Sequence, residues 1–220
     1  MDLANLKYLR VKVFYALLDP FSRRMRQKRM ASFEKWGPVR VGARVLDLGG
    51  EPAFWGTMNR PLDITVLNLP GGPPTPVGPS IHNLVLVEGD ACHVDAFAAQ
   101  SFEIVFSNSV IEHVGPADNQ EAFAREVRRL GRSYWVQTPS IWFPIECHTG
   151  MPFWWLYPAA LQSFFLRRWR KKLPEWTSYI EQTRVLSKRR MQQLFPEATI
   201  DVERFLGLAK SYVARYAPSE

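Results

Sequence analysis

Apolar residues recur along this chain with two different periods. Leu3, Leu6, Leu9, Val13, Phe14 and Leu17 fall at helical spacing and predict an amphipathic helix over residues 3–18. Asp19-Pro20 breaks it. Ser22 can cap a second helix to about Trp36, and Gly37-Pro38 ends that one. From residue 43 onward the pattern becomes short apolar runs divided by turn formers. These predict strands at Arg44–Leu48, Leu62–Leu69, Leu84–Val87, Phe102–Phe106 and Ser133–Gln137. Short helices are expected through Phe54 and Trp55 and over Val94–Ala99, and a longer one over Asn119–Leu130. Pro70–Ser80, with Gly71-Gly72-Pro73-Pro74 at its centre, reads as loop. Ser187 caps a last helix to Phe195, and Ala198–Phe205 and Leu208–Tyr216 pair as an antiparallel hairpin through Gly207. This alternation predicts an α/β fold with a doubly wound, mainly parallel sheet.

The 220 residues suit one domain, with 46% hydrophobic content to fill its core. Charge separates the first 40 residues from the rest. They hold ten Lys and Arg against three acids, whereas the remaining 180 balance. The net charge of +7 therefore belongs to an N-terminal helical lid or extension (1–40), preceding a main domain over 41–220. Arg23, Arg24, Arg26, Lys28 and Arg29 form its basic cluster, either a solvated face or a patch for anionic lipid or substrate. A balanced main domain argues against a general nucleic-acid surface. Cys92 and Cys147 lie far apart without CxxC spacing, so neither a disulfide framework nor a metal site is expected, and a reducing cytoplasm fits. No signal peptide is visible, and no apolar run is long enough to span a bilayer.

The candidate chemistry lies where strands end. Val45-Leu46-Asp47-Leu48-Gly49-Gly50-Glu51 reads as a buried strand stopping on two glycines, with helix-forming sequence after Pro52. Glycines let the backbone turn sharply and approach a ligand closely. Asp47, Asn68, Asp90 and Asn108 follow or end successive strands, and parallel strands open such residues onto one crevice. Together they suit a nucleoside-like ligand. A dinucleotide fingerprint would need Gly-x-Gly-x-x-Gly after the first strand, and a P-loop would need Gly-Lys-Ser/Thr; neither is present.

Val45–Glu51, Glu88–Ala91 and Phe102–Val114 together resemble the class I S-adenosylmethionine-dependent methyltransferases, in the branch acting mainly on small molecules. The resemblance extends over about 41–140 and implies a Rossmann-like, seven-stranded sheet with an antiparallel C-terminal strand. It also implies roles for individual residues. Asp47, Gly49 and Gly50 would hold the methionine part of the S-adenosyl-L-methionine cofactor. Asn68 stands where many members carry an acid for the ribose hydroxyls, which an amide bonds more weakly. Asp90 and Ala91 would face the adenine, and Ser107 and Asn108 would line the floor beside the sulfonium. Glu112-His113 is widely shared in the branch, and His113 reads as structural or cofactor-lining before catalytic.

An acceptor-site insertion is expected over about 138–185. Trp142 and Phe143 could exclude water, and Glu146 or His148 could take the proton of a hydroxyl acceptor. Phe153-Trp154-Trp155-Leu156-Tyr157, then Leu161, Phe164, Phe165 and Leu166, lead into Arg167-Arg168-Trp169-Arg170-Lys171-Lys172. This amphiphilic stretch suits a bilayer interface, an apolar acceptor, a dimer contact or the roof of a site. The expectation is a cytoplasmic O-methyltransferase (EC 2.1.1.-) for a small or lipid-like, secondary-metabolite acceptor, peripheral on the inner face of the membrane in one version. A membrane-associated or partner-binding scaffold with a degenerate fold is the first rival. An RNA methyltransferase is the second, weakened because Asn108-Ser109-Val110-Ile111 lacks the Asn/Asp-Pro-Pro-Tyr/Phe of base-amino enzymes.

Overall fold

The five apolar runs form adjacent parallel strands, β1 (Arg44–Leu48), β2 (Asp63–Asn68), β3 (Asn83–Glu88), β4 (Phe102–Asn108) and β5 (Gly131–Pro139). The computed structural model describes residues 20, 22–72, 79–145 and 148–219. The expected helix over 3–18, the centre of the 70–80 loop, Glu146 and Cys147 lie outside them. β6 (Thr199–Phe205) and β7 (Leu208–Tyr216) complete a seven-stranded sheet of order β3-β2-β1-β4-β5-β7-β6, with β7 antiparallel to both neighbours. This is the Rossmann-like, doubly wound sheet the sequence predicts.

The described helices are α1 (residues 22–34), α2 (Pro52–Trp55), α3 (Ala117–Leu130), α4 (Ala159–Arg170), α5 (Pro174–Gln182) and α6 (Lys188–Leu194), with a 3-10 turn at Trp154–Leu156. Helices α1 and α2 pack on one face of the sheet, α3 and α6 on the other, and α4 packs with α5. In α3, Phe123, Ala124, Val127 and Leu130 share the buried stripe, Asp118 stands in the first turn and Arg128 and Arg129 in the last, as the helix dipole favours. That stripe packs with Leu46, Leu48, Val105 and Met191 of α6 on one side of the sheet. On the other side, Met30 and Phe33 of α1 pack with Val45, Ile64, Trp55, Phe106 and Trp135. Phe33 meets Phe106 edge-on at 4.9 Å between ring centroids. Helix α1 is therefore part of the core.

Two expectations need correction. Arg29 does not share the exposed basic face: it is 4% exposed and forms a bidentate pair with Glu203, Nε to Oε1 at 2.8 Å and Nη2 to Oε2 at 2.6 Å. Its Nη1 also donates to Asn108 Oδ1, so α1 is bonded to the end of β4 and to β6. Residues 94–99 are turns rather than a helix. Arg129 of α3 takes the carbonyls of Val94 (2.6 Å) and Phe97 (2.9 Å), and Glu126 takes the Val94 N–H (3.2 Å). These side chains replace the bonds a helix would make. The edge strand β3 is accordingly open on both faces, with Val85 and Leu86 about half exposed.

Candidate functional site

β1 and β4 are neighbours, yet the chain leaves β1 toward β2 and leaves β4 toward β5. Their carboxyl ends flank the switch point where open α/β sheets bind ligands. Gly49 has φ +75°, and a Cβ there would lie 2.7 Å from Val110 Cγ2, so the β1 loop and the β4 loop touch. A Cβ on Gly50 would fall 1.8 Å from Asp47 Oδ2. The glycine thus leaves room for the carboxylate to fold against the loop backbone.

Asp47 is 1% exposed. Trp55 Nε1 of α2 donates to its Oδ2 at 2.8 Å, while Oδ1 has no hydrogen-bond partner. Burial pushes its carboxyl up to about 7, against a smaller lowering by the Trp55 bond. A buried carboxylate oxygen lacking a donor, beside a cradle that only glycine allows, fits the ammonium-bearing methionine part of S-adenosylmethionine. Asn68, at the end of β2, donates from Nδ2 to Gly50 O at 3.0 Å and so braces the loop. Asp90 Oδ1 accepts from Cys92 N at 2.8 Å, and Ala91 packs against the apolar core. Ser107 is buried and donates to Leu48 O at 3.1 Å, tying β4 to β1. Asn108 is held by Arg29.

A second group of side chains gathers beyond β4 and β5. His113 Nε2 lies 3.2 Å from His148 Nε2 and 3.1 Å from the Tyr179 hydroxyl. Its ring stacks on Tyr179 at 4.9 Å between centroids, and its Nδ1 lies 3.3 Å from Thr183 Oγ1. Glu112 is fully buried; Thr138 Oγ1 donates to its Oε2 at 3.0 Å, and its Oε1, 4.0 Å from His113 Nε2, has no hydrogen-bond partner. Burial raises the Glu112 carboxyl to about 7, opposed by smaller effects including the charge of His148. Phe143 is nearly buried against Phe205, whereas Trp142 is 55% exposed at the rim.

The structure therefore brings His113 and His148 together and sets Asp47, Gly49, Gly50 and Asn68 in one loop system. Sequence reasoning missed Tyr179, Thr183, Thr138 and Arg29 as members of these networks. Helix α5 carried a readable signal, since Pro174 begins it and Glu175 stands in its first turn.

A family described as "Methyltransferase domain" matches residues 75–133. No curated protein sequence matches significantly. The fold is similar to that of an O-methyltransferase family protein from Burkholderia thailandensis, with TM-score 0.56 and 11% identity over 96% of this chain and 60% of that one. It is also similar to Haemonchus contortus phosphoethanolamine N-methyltransferase 2, in complex with phosphomonomethylethanolamine and S-adenosylhomocysteine, with TM-score 0.54 and 12% identity over 87% and 52%. A complex between a Haloferax volcanii methyltransferase activator and a methyltransferase gives TM-score 0.54 and 13% identity over 91% and 93%. The chain thus spans about half to three fifths of the length of the first two. Among the described residues no helix is long and apolar enough to cross a membrane.

Proposed function

We infer that this chain, a class I S-adenosylmethionine-dependent methyltransferase by its fold and its family match, methylates an oxygen atom of a small, apolar or lipid-like acceptor. The observation that carries the reading is the meeting of His113, His148 and Tyr179 beyond the ends of β4 and β5, with β4 lying directly beside the β1 strand that carries the Asp47 loop.

S-adenosylmethionine, when bound, supplies an electrophilic methyl group. Asp47, Gly49 and Gly50 hold its methionine part, Asn68 offers its carbonyl oxygen to the ribose, Asp90 and Ala91 take the adenine side, and Ser107 and Asn108 form the floor. A hydroxyl acceptor must lose its proton as it attacks, and a base within hydrogen-bond reach lowers that barrier. His148, buried beside His113, is the base in this reading, with Glu146 as the alternative. Phe143 walls the acceptor from water and Trp142 covers its rim.

The acceptor's apolar character is supported by α4, which exposes Leu161 and Phe164 and ends in Arg167, Arg168 and Arg170. Such a helix suits an acceptor delivered from a lipid surface. The O-methyltransferase similarity supports oxygen, and the phosphoethanolamine similarity makes nitrogen the competing outcome. The test is product analysis with methyl-labelled S-adenosylmethionine over a panel of phenols, fatty acids, polyprenyl alcohols and amines. The reading expects label on an apolar hydroxyl or carboxylate; label on amines alone from cofactor-binding protein rejects it.

A further inference from the structure

We propose that Glu112, His113 and His148 form a binding site for a divalent transition-metal ion of the zinc class. One ligand atom from each residue lies within 4.8 Å of the others; His113 Nε2 is 3.2 Å from His148 Nε2 and 4.0 Å from Glu112 Oε1. Imidazole nitrogens with a carboxylate oxygen are the donor set such ions take.

The hydrogen bonds around the group assign its protons. Thr183 has one hydroxyl hydrogen, and it goes to Tyr179 O at 2.9 Å. Toward His113 Nδ1, 3.3 Å away, Thr183 Oγ1 is therefore the acceptor, so Nδ1 carries the ring proton. The Nε2 lone pair is then left facing His148 Nε2 and the Tyr179 hydroxyl. Glu112 Oε1, 4.0 Å away and buried, has no hydrogen-bond partner. A cation between the three atoms would give that buried oxygen a partner and take the imidazole lone pairs with it.

The spacing agrees with that occupant. Bonds of about 2.0–2.1 Å to a tetrahedral zinc ion set two imidazole nitrogens roughly 3.3 Å apart, and here they are 3.2 Å apart. From His113 Nε2, at 4.0 Å, the Glu112 oxygen is less than ~1 Å beyond the same tetrahedral spacing, a gap that small side-chain shifts close. The surrounding bonds are those that orient metal ligands. His113 donates from Nδ1 to Thr183, and Glu112 Oε2 is fixed by Thr138 at 3.0 Å. Tyr179, 45% exposed, stands on the open side.

Three protein ligands leave an open position for water, the Tyr179 oxygen or an acceptor oxygen. The inference deepens the reading above and rests on it for the acceptor. With the ion bound, His148 would be a ligand in place of the base role given it above, and an acceptor hydroxyl coordinated to the metal would give its proton to solvent water.

The test does not require turnover. Full-length protein is stripped with a chelator, dialysed, and titrated with Zn²⁺ against a chromophoric competitor. It is then titrated with Co²⁺, whose visible bands report four-coordinate nitrogen and oxygen ligation. The proposal expects uptake of one equivalent, weakened at least about 100-fold by His113→Ala and by His148→Ala, and about 10-fold or more by Thr183→Val, which removes only the orienting oxygen. Circular dichroism and S-adenosylhomocysteine titration report whether each variant is folded. No uptake by folded wild type overturns the metal site while leaving the cofactor reading intact. Uptake that all three folded variants retain also overturns it, since the ion then sits elsewhere. Metal uptake with no cofactor binding rejects the methyltransferase reading and leaves the ion site standing.

Discussion

The loop after β1 and the group beyond β5 stand at the same edge of one sheet but are built by opposite means. The β1 loop is local and made largely of backbone. Residues 47–68 supply its glycines, its buried carboxylate, the Trp55 donor and the Asn68 brace. The second group has no such segment. Glu112 and His113 follow β4, Thr138 closes β5, His148 lies in the next loop, and Tyr179 and Thr183 come from α5 and its end. In the proposed reading a cofactor of fixed shape is met by a short contiguous motif, whereas the acceptor chemistry is assembled from side chains spread between Glu112 and Thr183.

Substitutions can break this comparison or sharpen it. The platform both regions share depends on Arg29, which bonds α1 to Asn108 and Glu203. Burial opposes ionisation of Glu203, but the bonds and charge of Arg29 outweigh it and hold the carboxyl below its ordinary range. Arg29→Ala strands that charge and costs about 3–5 kcal/mol in urea unfolding. Adding Glu203→Gln recovers part of the loss. If Arg29→Ala unfolds like wild type, the two regions do not share this anchor.

Asp47 gives the β1 region a pH dependence. Its carboxyl is raised from an ordinary 3.8 to about 7 by burial. The unfolded chain releases this proton first, so the stabilisation is fully present below pH ~4 and is lost as pH rises through ~7. The change is on the order of 4 kcal/mol for a shift of roughly three pH units. Ligand-free wild type is therefore expected to resist urea better near pH 5 than near pH 8, and Asp47→Asn to remove roughly half of that difference, since Glu112, also raised to about 7, contributes in the same direction.

Gly50→Ala places a methyl group on the Asp47 carboxylate. S-adenosylhomocysteine binding should weaken by roughly 10–100-fold, matching about 1–3 kcal/mol of overpacking, measured by calorimetry. Trp142→Ala gives the smallest effect on the protein. Being exposed, it changes stability by no more than ~0.5 kcal/mol. It leaves cofactor affinity unchanged and raises the acceptor KM. Weaker cofactor binding in this variant would merge the two regions the comparison separates.

The same contrast explains what could be read from the chain. β1, β2 and β4 are apolar runs buried by their neighbours, so their hydrophobic pattern is their structure. The loop chemistry of Asp47, Gly49 and Gly50 is local and equally legible. Arg29 was not, because only Glu203, far along the chain, separates it from the adjacent exposed arginines. Residues 94–99 carry a helix-like sequence but lose the helix to Arg129 and Glu126. Tyr179 and Thr183 lacked a motif because their partner, His113, lies some seventy positions away.

The most direct test of the account is calorimetric titration of full-length protein with S-adenosylmethionine and S-adenosylhomocysteine, beside Gly50→Ala and Trp142→Ala. The account predicts saturable binding of both ligands, sharply weakened by Gly50→Ala and untouched by Trp142→Ala. Folded wild-type protein that binds neither ligand, or Gly50→Ala that binds as wild type does, would contradict the assignment of the cofactor to the β1 loop.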